Sequence, residues 1–395
     1  MHEAGAERFV AGGEVGFASI EGGGALQDYL ALLARPTGPL GLTRMIAATA
    51  AKTRTLLGGA PAVLERIGAD AVLADMAEAA GPLIARRLGL PFVTTVTGLP
   101  LMGEPDVPPP FIGWPYLPEG AGRVRNRGGY AVTEFLMRPI NRVLAQVAAD
   151  WGIGSDTPPD QVHVAQCPAA LDFPRFALPR RFHYGAPWRL PEADAPELPD
   201  DRPLVFCSLG TLQGGRKALF GAMSRACANV GARAVVAHAG GLSDAEAAAL
   251  PGDPMVRAWW PQRAVLARCR AGIVHGGFNT VLDALAAGTP LVVAPIAFEQ
   301  PGTAARVERL GAGRVVPFRR ADEASLTRAL RQVLDAPAYA QAAQRLAGSI
   351  AGRNGAADAA ATISAALTGG ASATDATASP GSGDARDDSR RNGSR

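Results

Sequence analysis

The sequence lacks the features that mark several large classes of protein. Its four cysteines lie far apart and form no CxxC pair, so we expect neither a zinc site nor a disulfide framework and interpret them as reduced core thiols. No stretch approaches the roughly 18 consecutive apolar residues that a membrane-spanning helix needs. The start, Met1 to Gly5, is neither basic nor apolar, unlike a signal peptide. These absences predict a cytoplasmic protein that at most lies on a membrane surface.

An excess of charge of one sign is also lacking. The 39 basic and 36 acidic residues are spread along the chain and give a net charge of +3. Proteins that bind nucleic acid usually carry a clustered basic face, so no nucleic-acid partner is expected. Aromatic residues make up only 6% of a chain that is 48% hydrophobic, and its 395 residues are enough for two domains with separate cores.

Short apolar strands alternate with helices in the first half of the chain. Ala71–Asp75 and Phe92–Val96 are predicted strands, with a helix through Arg87 between them. This alternation is typical of a parallel sheet. The following Pro- and Gly-rich stretch, Gly98 to about Gly129, is predicted to be irregular and, because of its length, functional. An amphipathic helix is predicted from Tyr130 to about Trp151.

The second half shows the same alternation more clearly and is predicted to be a complete doubly wound domain. Its predicted strands are Leu204–Ser208, Ala232–Ala237, Met255–Ala258, Gly272–Val274 and Leu291–Ala294. We therefore predict an N-terminal Rossmann-like domain over residues 1–187, a Pro- and acid-rich linker at 188–203 and a C-terminal Rossmann-like domain over 204–368. The tail, 369–395, contains almost nothing apolar and is expected to be disordered.

A His-Gly-Gly motif follows the predicted strand Gly272–Val274. Ligands of open α/β sheets lie beyond the C-terminal ends of the strands, where helix N-termini present free N–H groups to anions. Gly276 and Gly277 let the backbone approach a diphosphate, while His275 and Thr280 can donate hydrogen bonds to it. The alternative is a plain helix with Asn279 as its N-cap and a packed histidine.

Polar and aromatic residues after the neighbouring strands favour a nucleotide-sugar site. Trp259 could stack on a nucleobase and Gln262 could meet its edge, although Trp259 and Trp260 are individually more typical of a core. Asp283 could accept hydrogen bonds from ribose hydroxyls. Glu299 and Gln300 are within reach of a hexose, although such a pair alone is more often a solvated surface.

Together these residues resemble the donor-site signature of the UDP-glycosyltransferase superfamily, whose members have the GT-B fold of two Rossmann-like domains facing across a cleft. The residues that carry the resemblance are Ser208, Gly210, Thr211, Trp259, Gln262, His275, Gly277, Asn279, Thr280, Asp283, Glu299 and Gln300.

The resemblance implies a role for each group of these residues. Trp259 stacks on uracil, the Ser208 to Thr211 loop lies beside the phosphates, and His275, Asn279 and Thr280 hold the diphosphate. Glu299 and Gln300 bind the sugar hydroxyls. Asp283 stands where many members carry Glu for the ribose, a departure that shortens its reach by one methylene.

A narrower resemblance links the chain to bacterial zeaxanthin glucosyltransferases, which glucosylate the ring hydroxyls of a carotenoid. It is carried by the donor motif and by the segments Gly98–Leu101, Glu104–Asp106, Leu171–Arg175 and Leu209–Gly214. The implied acceptor is apolar and hydroxylated, but a macrolide, a flavonoid or a sterol would need the same cleft. Its predicted lining is Leu101, Phe111, Ile112 and Trp114; these residues and Phe135 are also candidates for peripheral membrane contact.

Transfer with inversion needs a base that takes the acceptor proton while UDP leaves from the opposite face. The resemblance implies an early histidine oriented by an aspartate. Asp75 matches the aspartate, with capping of the following helix as its alternative role. None of the chain's five histidines matches the base. We therefore hypothesise that the N-terminal domain is incomplete and lacks an opening βα unit that carries this histidine; in-frame codons for such a unit upstream of Met1 would support this.

Two alternatives to a UDP-hexosyltransferase stay open: an inactive nucleotide-sugar-binding protein without its base, and a UDP-sugar epimerase. The UDP-sugar is a co-substrate, so no cofactor is expected. No metal is expected either, because helix N-termini and His275 would neutralise the diphosphate.

Overall fold

A computed structural model of the chain describes residues 38–154, 161–194, 196–199 and 201–368, which form two parallel sheets flanked by helices. The predicted α/β architecture is therefore confirmed. The predictions about the start of the chain, His2, a missing opening strand and the tail concern residues outside these ranges.

The first sheet has its described strands in chain order, and every neighbouring pair is parallel. These strands are β1 (Val72–Asp75), β2 (Phe92–Val96), β3 (His163–Ala165) and β4 (Phe182–His183). The helices are α1 (Gly38–Arg66), α2 (Ala80–Leu88) and α3 (Gly120–Asp150). The apolar face of α2 packs with α1 and the second half of α3 into one core cluster. Gly89 ends α2 in the left-handed conformation, as glycine commonly does.

Helix α3 begins ten residues before the predicted start at Tyr130, so the prediction of an irregular stretch up to Gly129 was wrong over its last part. Glycines in that part suggested a loop because glycine is a poor helix former. Two of them are contact points instead. A Cβ at Gly122 would collide with Leu117, and one at Gly129 would lie 2.8 Å from the Trp114 ring. Tertiary packing thus decides a conformation that local propensity disfavours.

The second sheet has six parallel strands in the spatial order β10-β9-β8-β5-β6-β7. The strands are β5 (Leu204–Ser208), β6 (Arg233–Ala237), β7 (Met255–Arg257), β8 (Ala271–Val274), β9 (Leu291–Val293) and β10 (Gly313–Val315). This is the doubly wound order 3-2-1-4-5-6. The five predicted strands are all observed, β5 with the predicted bounds, whereas β10 was missed because its sequence, Gly-Arg-Val, is not an apolar run. The helices are α4 (Lys217–Ala228), α5 (Asp244–Ala248), α6 (Gln262–Leu266), α7 (Phe278–Ala286), α8 (Gln300–Arg309), α9 (Glu323–Asp335), α10 (Pro337–Ile350) and α11 (Gly355–Leu367).

The two halves are joined by shared packing. Helix α11, which the sequence assigned to the second domain, lies against β2 and β3 of the first sheet, where Ala359 and Ile363 pack on Val93 and Val164. A larger core cluster contains residues of both halves, among them Ala165 and Phe206. All four cysteines are buried, as predicted for core thiols.

Candidate functional site

The predicted phosphate-binding segments lie side by side at the point where the strand order of the second sheet reverses. Strands β5 and β8 are neighbours, with Ser208 opposite Val274. The Ser208 to Thr211 loop therefore leaves the sheet beside His275 and Gly277. In doubly wound sheets this switch point is where ligands bind.

Helix α7 begins without a side-chain cap. Its N-cap is Gly277, and Asn279 lies inside the first turn. Asn279 is therefore not the N-cap, although the packed histidine of that alternative is observed. The first turn of an α-helix has N–H groups without partners in the helix, which together with the helix dipole attract an anion. The structure thus provides the donor groups that the sequence predicted for a diphosphate.

His275 is buried between two glycines. A Cβ at Gly210 would lie 2.7 Å from its Nε2 atom, and one at Gly277 would also collide with the ring. Burial lowers the pKa of His275 to about 4; the nearby Ser208 backbone opposes this shift without reaching hydrogen-bond geometry with Nδ1. The imidazole is therefore neutral at physiological pH and has one N–H to donate.

The carboxylate of Asp283 is held from two sides. Its Oδ1 accepts a hydrogen bond from Nε of Arg189 at 2.5 Å, and its Oδ2 accepts one from Nε2 of Gln262 at 2.6 Å. The hydroxyl of Thr280 donates weakly to Oε1 of Gln262, at 3.4 Å. Hydrogen bonds thus connect Thr280 and Gln262 to Asp283, the residue predicted to bind the ribose.

Two residues of the segment after β4 complete this cluster and were missed by the sequence analysis. Arg189 pairs with Asp283 and also donates to the carbonyl oxygen of Asn279. The carboxylate of Glu192 accepts hydrogen bonds from the first backbone N–H groups of α6, including that of Gln262 at 2.9 Å. A single arginine or glutamate in a Pro-rich segment carries no local signal for such contacts.

Gln166, also missed, connects the first sheet to the donor side. It follows β3 and is buried. Its Nε2 donates to the carbonyl of Thr97 and to Oδ1 of Asn279, and its Oε1 accepts a hydrogen bond from Arg189 at 2.9 Å. Asn279 is therefore held by Gln166 of the first domain and by Arg189 of the linker.

The adjacent tryptophans after β7 differ in their environment. Trp260 is 8% exposed, donates through Nε1 to the Val236 carbonyl and packs in the core. Trp259 is 65% exposed, which leaves its ring free to meet a ligand. The core interpretation thus holds for Trp260 and not for Trp259.

The pair predicted to bind the sugar lies at the start of α8. Gln300 is buried, and its Oε1 accepts hydrogen bonds from the backbone of Ile296 and Ala297, which fixes the loop after β9. Burial raises the pKa of the Glu299 carboxyl, while the backbone N–H groups of Glu299 and Phe278 oppose that shift. Glu299 therefore lies close to the start of α7. Phe298 has φ +56°, the kind of backbone strain found at functional sites.

The predicted acceptor residues lie on the loop between β2 and α3. Phe111 is exposed, whereas Leu101, Ile112 and Trp114 are half-buried. The loop packs directly on the start of α8, since a Cβ at Gly302 would collide with the Pro110 carbonyl oxygen. The predicted acceptor loop therefore lies next to Glu299 and Gln300, the residues predicted to bind the sugar.

A fully buried group of charges fixes this loop and joins the domains. Asp172 accepts hydrogen bonds from Arg175 at 2.7 Å and from Arg306 of α8 at 2.8 Å. Arg175 in turn pairs with Glu104 at 3.3 Å. Burial alone would raise the pKa of Asp172, but the two arginines and the hydroxyl of Tyr184 outweigh it, and the pKa is lowered. The segments Glu104–Asp106 and Leu171–Arg175, which carry the narrower resemblance, thus contribute buried ion pairs that connect the acceptor loop to the second domain.

Asp75 ends β1 and is hydrogen-bonded locally. Its carboxylate accepts bonds from the N–H groups of Ala77 at 2.9 Å and Thr97 at 3.2 Å, and from the Thr95 hydroxyl. Helix α2 begins at Ala80 with Ala79 as its N-cap and has no side-chain cap, so the alternative role of Asp75 as its cap is wrong. The contacts of Asp75 fix the turn after β1 and the end of β2 instead; that it orients a histidine stays a prediction. His238 accepts a hydrogen bond from the backbone of Leu242 and is structural.

The described part of the chain has no group of three or more His, Cys, Asp and Glu side chains placed to hold a metal ion. Within the same residues, no helix has the length and apolar character needed to cross a membrane.

The family model for the erythromycin biosynthesis protein CIII-like C-terminal domain matches residues 224–365. The zeaxanthin glucosyltransferase of Pseudescherichia vulneris is 39% identical over 283 residues, covering 70% of this chain and 68% of the relative. That of Pantoea ananas is 36% identical over 308 residues, covering 74% and 70%. The crystal structure of the calicheamicin glycosyltransferase CalG4 superposes with a TM-score of 0.65 at 25% identity, covering 84% of this chain and 83% of that one.

Proposed function

The chain belongs to the UDP-glycosyltransferase family with the GT-B fold, and from this premise we propose that it transfers glucose from UDP-glucose to a hydroxyl of a hydroxylated carotenoid such as zeaxanthin. The observation that carries the donor half of the proposal is the uncapped start of α7 at the switch point of the second sheet. The similarity to two zeaxanthin glucosyltransferases supports the acceptor.

The donor would lie across the C-terminal edge of the second sheet. The exposed ring of Trp259 stacks on uracil, and the first turn of α7, with the neutral His275, Asn279 and Thr280, holds the diphosphate. The positive end of the helix dipole and these N–H and O–H donors stabilise the negative charge of the diphosphate. The Ser208 to Thr211 loop covers its other side.

The sugar and ribose ends would follow from the same placement. Glu299 and Gln300 bind the hexose hydroxyls, with Gln300 fixed by the loop after β9. Asp283 accepts from the ribose while Arg189 and Gln262 keep its carboxylate oriented.

The acceptor would enter over the loop that contains Leu101, Phe111, Ile112 and Trp114. This loop abuts the start of α8, so an acceptor hydroxyl there is close to the sugar. Such an acceptor resides in the bilayer, and we extend the proposal to peripheral contact of the first domain with the membrane. Phe111 and Phe135 are the exposed members of the predicted contact set.

The transfer would proceed with inversion. The acceptor oxygen bonds to the anomeric carbon as the bond from that carbon to the UDP oxygen breaks on the opposite face, and the acceptor proton passes to a general base. Asp75, the last residue of β1, is proposed to orient a histidine base. None of the described histidines is hydrogen-bonded to it.

The experiment is incubation with UDP-glucose and zeaxanthin in detergent, with glycosides and UDP measured by chromatography and mass spectrometry. Zeaxanthin glucosides with equimolar UDP are expected, and Glu299→Ala should abolish them. UDP binding without turnover would identify an inactive binder instead. Conversion of UDP-glucose without an acceptor would identify an epimerase.

A further inference from the structure

Helix α3 presents an exposed apolar surface on the side that faces away from the core. Val124, Val132 and Phe135 are 69%, 59% and 59% exposed. At about 100° per residue, Phe135 lies within about 20° of Val124 around the helix, and Val132 within about 80°. The opposite side, which includes Ile140 at about 160° from Val124, packs on α1 and α2. The three side chains thus form one outward face.

The same face is positively charged. Arg127, Arg138 and Arg142 are exposed on it, whereas Glu134 is the acidic residue at its edge. None of the three arginines forms an ion pair within the described residues, in contrast to Arg123, which pairs with Asp106 at 2.8 Å. Arg138 instead lies over the Phe135 ring at 4.7 Å. Basic groups that flank an exposed aromatic are typical of helices that lie in a membrane interface.

We propose that this face, formed by Val124, Arg127, Val132, Phe135, Arg138 and Arg142, docks on an anionic phospholipid bilayer. The apolar side chains enter the boundary between headgroups and acyl chains, and the arginines bind lipid phosphates. Positive charge without internal partners favours a lipid surface over a second copy of this chain, which would place like charges opposite each other.

The docking deepens the proposed function, on which its biological purpose rests, because it brings the acceptor loop to a bilayer that holds a carotenoid. The loop packs on α3 through Gly122 and Gly129, on the side opposite the docking face. A bilayer on the outer face is therefore separated from the loop by about one helix diameter, roughly 10 Å. A ring hydroxyl that projects from the bilayer has this distance to cross.

Flotation with vesicles tests the docking without any reaction. The full chain should float with vesicles of phosphatidylglycerol and phosphatidylcholine, and binding should weaken at 0.5 M salt. Replacement of Arg127, Arg138 and Arg142 by Gln should reduce binding on the order of 100-fold, from about fivefold for each arginine. Replacement of Val124, Val132 and Phe135 by Gln should reduce it at least tenfold by the same burial argument.

Matched controls separate the face from net charge and folding. Exchange of the exposed Arg320, Arg328 and Arg345 for Gln removes the same charge on the second domain and should leave binding within about twofold. Because all four native cysteines are buried, a Val132→Cys variant can be labelled selectively with a polarity-sensitive dye. Its emission should shift to the blue on anionic vesicles.

The proposal is overturned if the full chain does not float with anionic vesicles, if the face variants bind as well as the original, or if the dye reports burial without lipid because another part of the chain or a second copy covers the face. Transfer to zeaxanthin in detergent reports separately on the proposed function. Loss of transfer only from vesicle-borne acceptor in the face variants supports the docking. Absence of transfer in both settings refutes the function while flotation still decides the docking.

Discussion

The donor side and the acceptor side of the site are positioned by different kinds of interaction. On the donor side, strand order and the glycines beside His275 place backbone N–H groups at the edge of a parallel sheet. On the acceptor side, an irregular loop is fixed by buried charges that are distant in sequence, Asp172 with Arg306 above all. The backbone arrangement of the donor side follows from residues close in sequence, whereas the acceptor loop depends on partners that are far apart in sequence.

The largest expected effect is a loss of stability when the buried ion pairs of the acceptor side are disrupted. Asp172→Asn leaves Arg306 and Arg175 buried with an uncharged partner, and loss of one member of a buried ionic group typically costs about 3–5 kcal/mol. The free energy of unfolding in urea should fall by that amount. Arg353→Gln, which breaks the exposed pair with Asp358 at 3.3 Å, is the control and should cost under about 1 kcal/mol. Equal losses in the two variants would show that the buried group does not hold the domains together.

A pair of glycine substitutions compares the two sides directly. Gly302→Ala forces α8 away from the Pro110 carbonyl, so we expect a loss of about 2–3 kcal/mol in stability and a raised KM for the acceptor. Gly210→Ala pushes on the His275 ring from a residue with φ +69° and should weaken UDP binding at least tenfold, about 1.4 kcal/mol.

The control for both is Gly348→Ala within α10, where a Cβ meets no atom within 4 Å. It should be neutral or stabilise by up to about 1 kcal/mol. Calorimetric titration with UDP and acceptor kinetics separate the two effects. A Gly210→Ala variant that binds UDP normally would contradict the close approach of the loop to His275.

Features that depend on neighbouring residues could be predicted from the sequence, whereas contacts between distant residues could not. The bounds of β5 and the position of His275 follow from hydrophobic runs and glycine chemistry that operate within a few residues. Arg189 was missed because its partner Asp283 lies 94 residues away in the sequence. Gln166 was missed because its partner Asn279 lies 113 residues away. No local pattern encodes such pairs.

The start of α3 was missed for a related reason. Its first turns contain glycines that only the packing of Leu117 and Trp114 explains. Asp172 and Arg175 were noticed as family-like residues, and the structure shows that they are a buried ion pair with Arg306. Tertiary contacts, rather than local propensity, therefore determine where α3 begins and how the acceptor loop of the first domain is fixed.

The pH dependence of unfolding tests the burial of His275 on the donor side. The pKa of His275 is lowered from 6.5 to about 4 in the folded chain. Below pH 6.5 the unfolded chain binds a proton that the folded chain does not, so stability is complete above that pH and falls as pH drops towards 4. Between pH 7 and pH 5 this amounts to about 2 kcal/mol. His275→Gln should remove that part of the pH dependence of urea unfolding; an unchanged slope would show that the imidazole is not buried.

The smallest expected effect concerns Trp259. Loss of a ring that stacks on a base costs about 1–3 kcal/mol, so Trp259→Ala should weaken UDP binding about tenfold. Because the side chain is 65% exposed, its removal should change the free energy of unfolding by less than about 0.5 kcal/mol. Trp260→Ala, one residue later and in the core, should instead cost about 3–5 kcal/mol of stability. Titration with UDP and urea unfolding of both variants measure the two quantities. If Trp259→Ala binds UDP as tightly as the original chain, the base lies elsewhere on the rim, and the donor side is held by its backbone and diphosphate contacts alone.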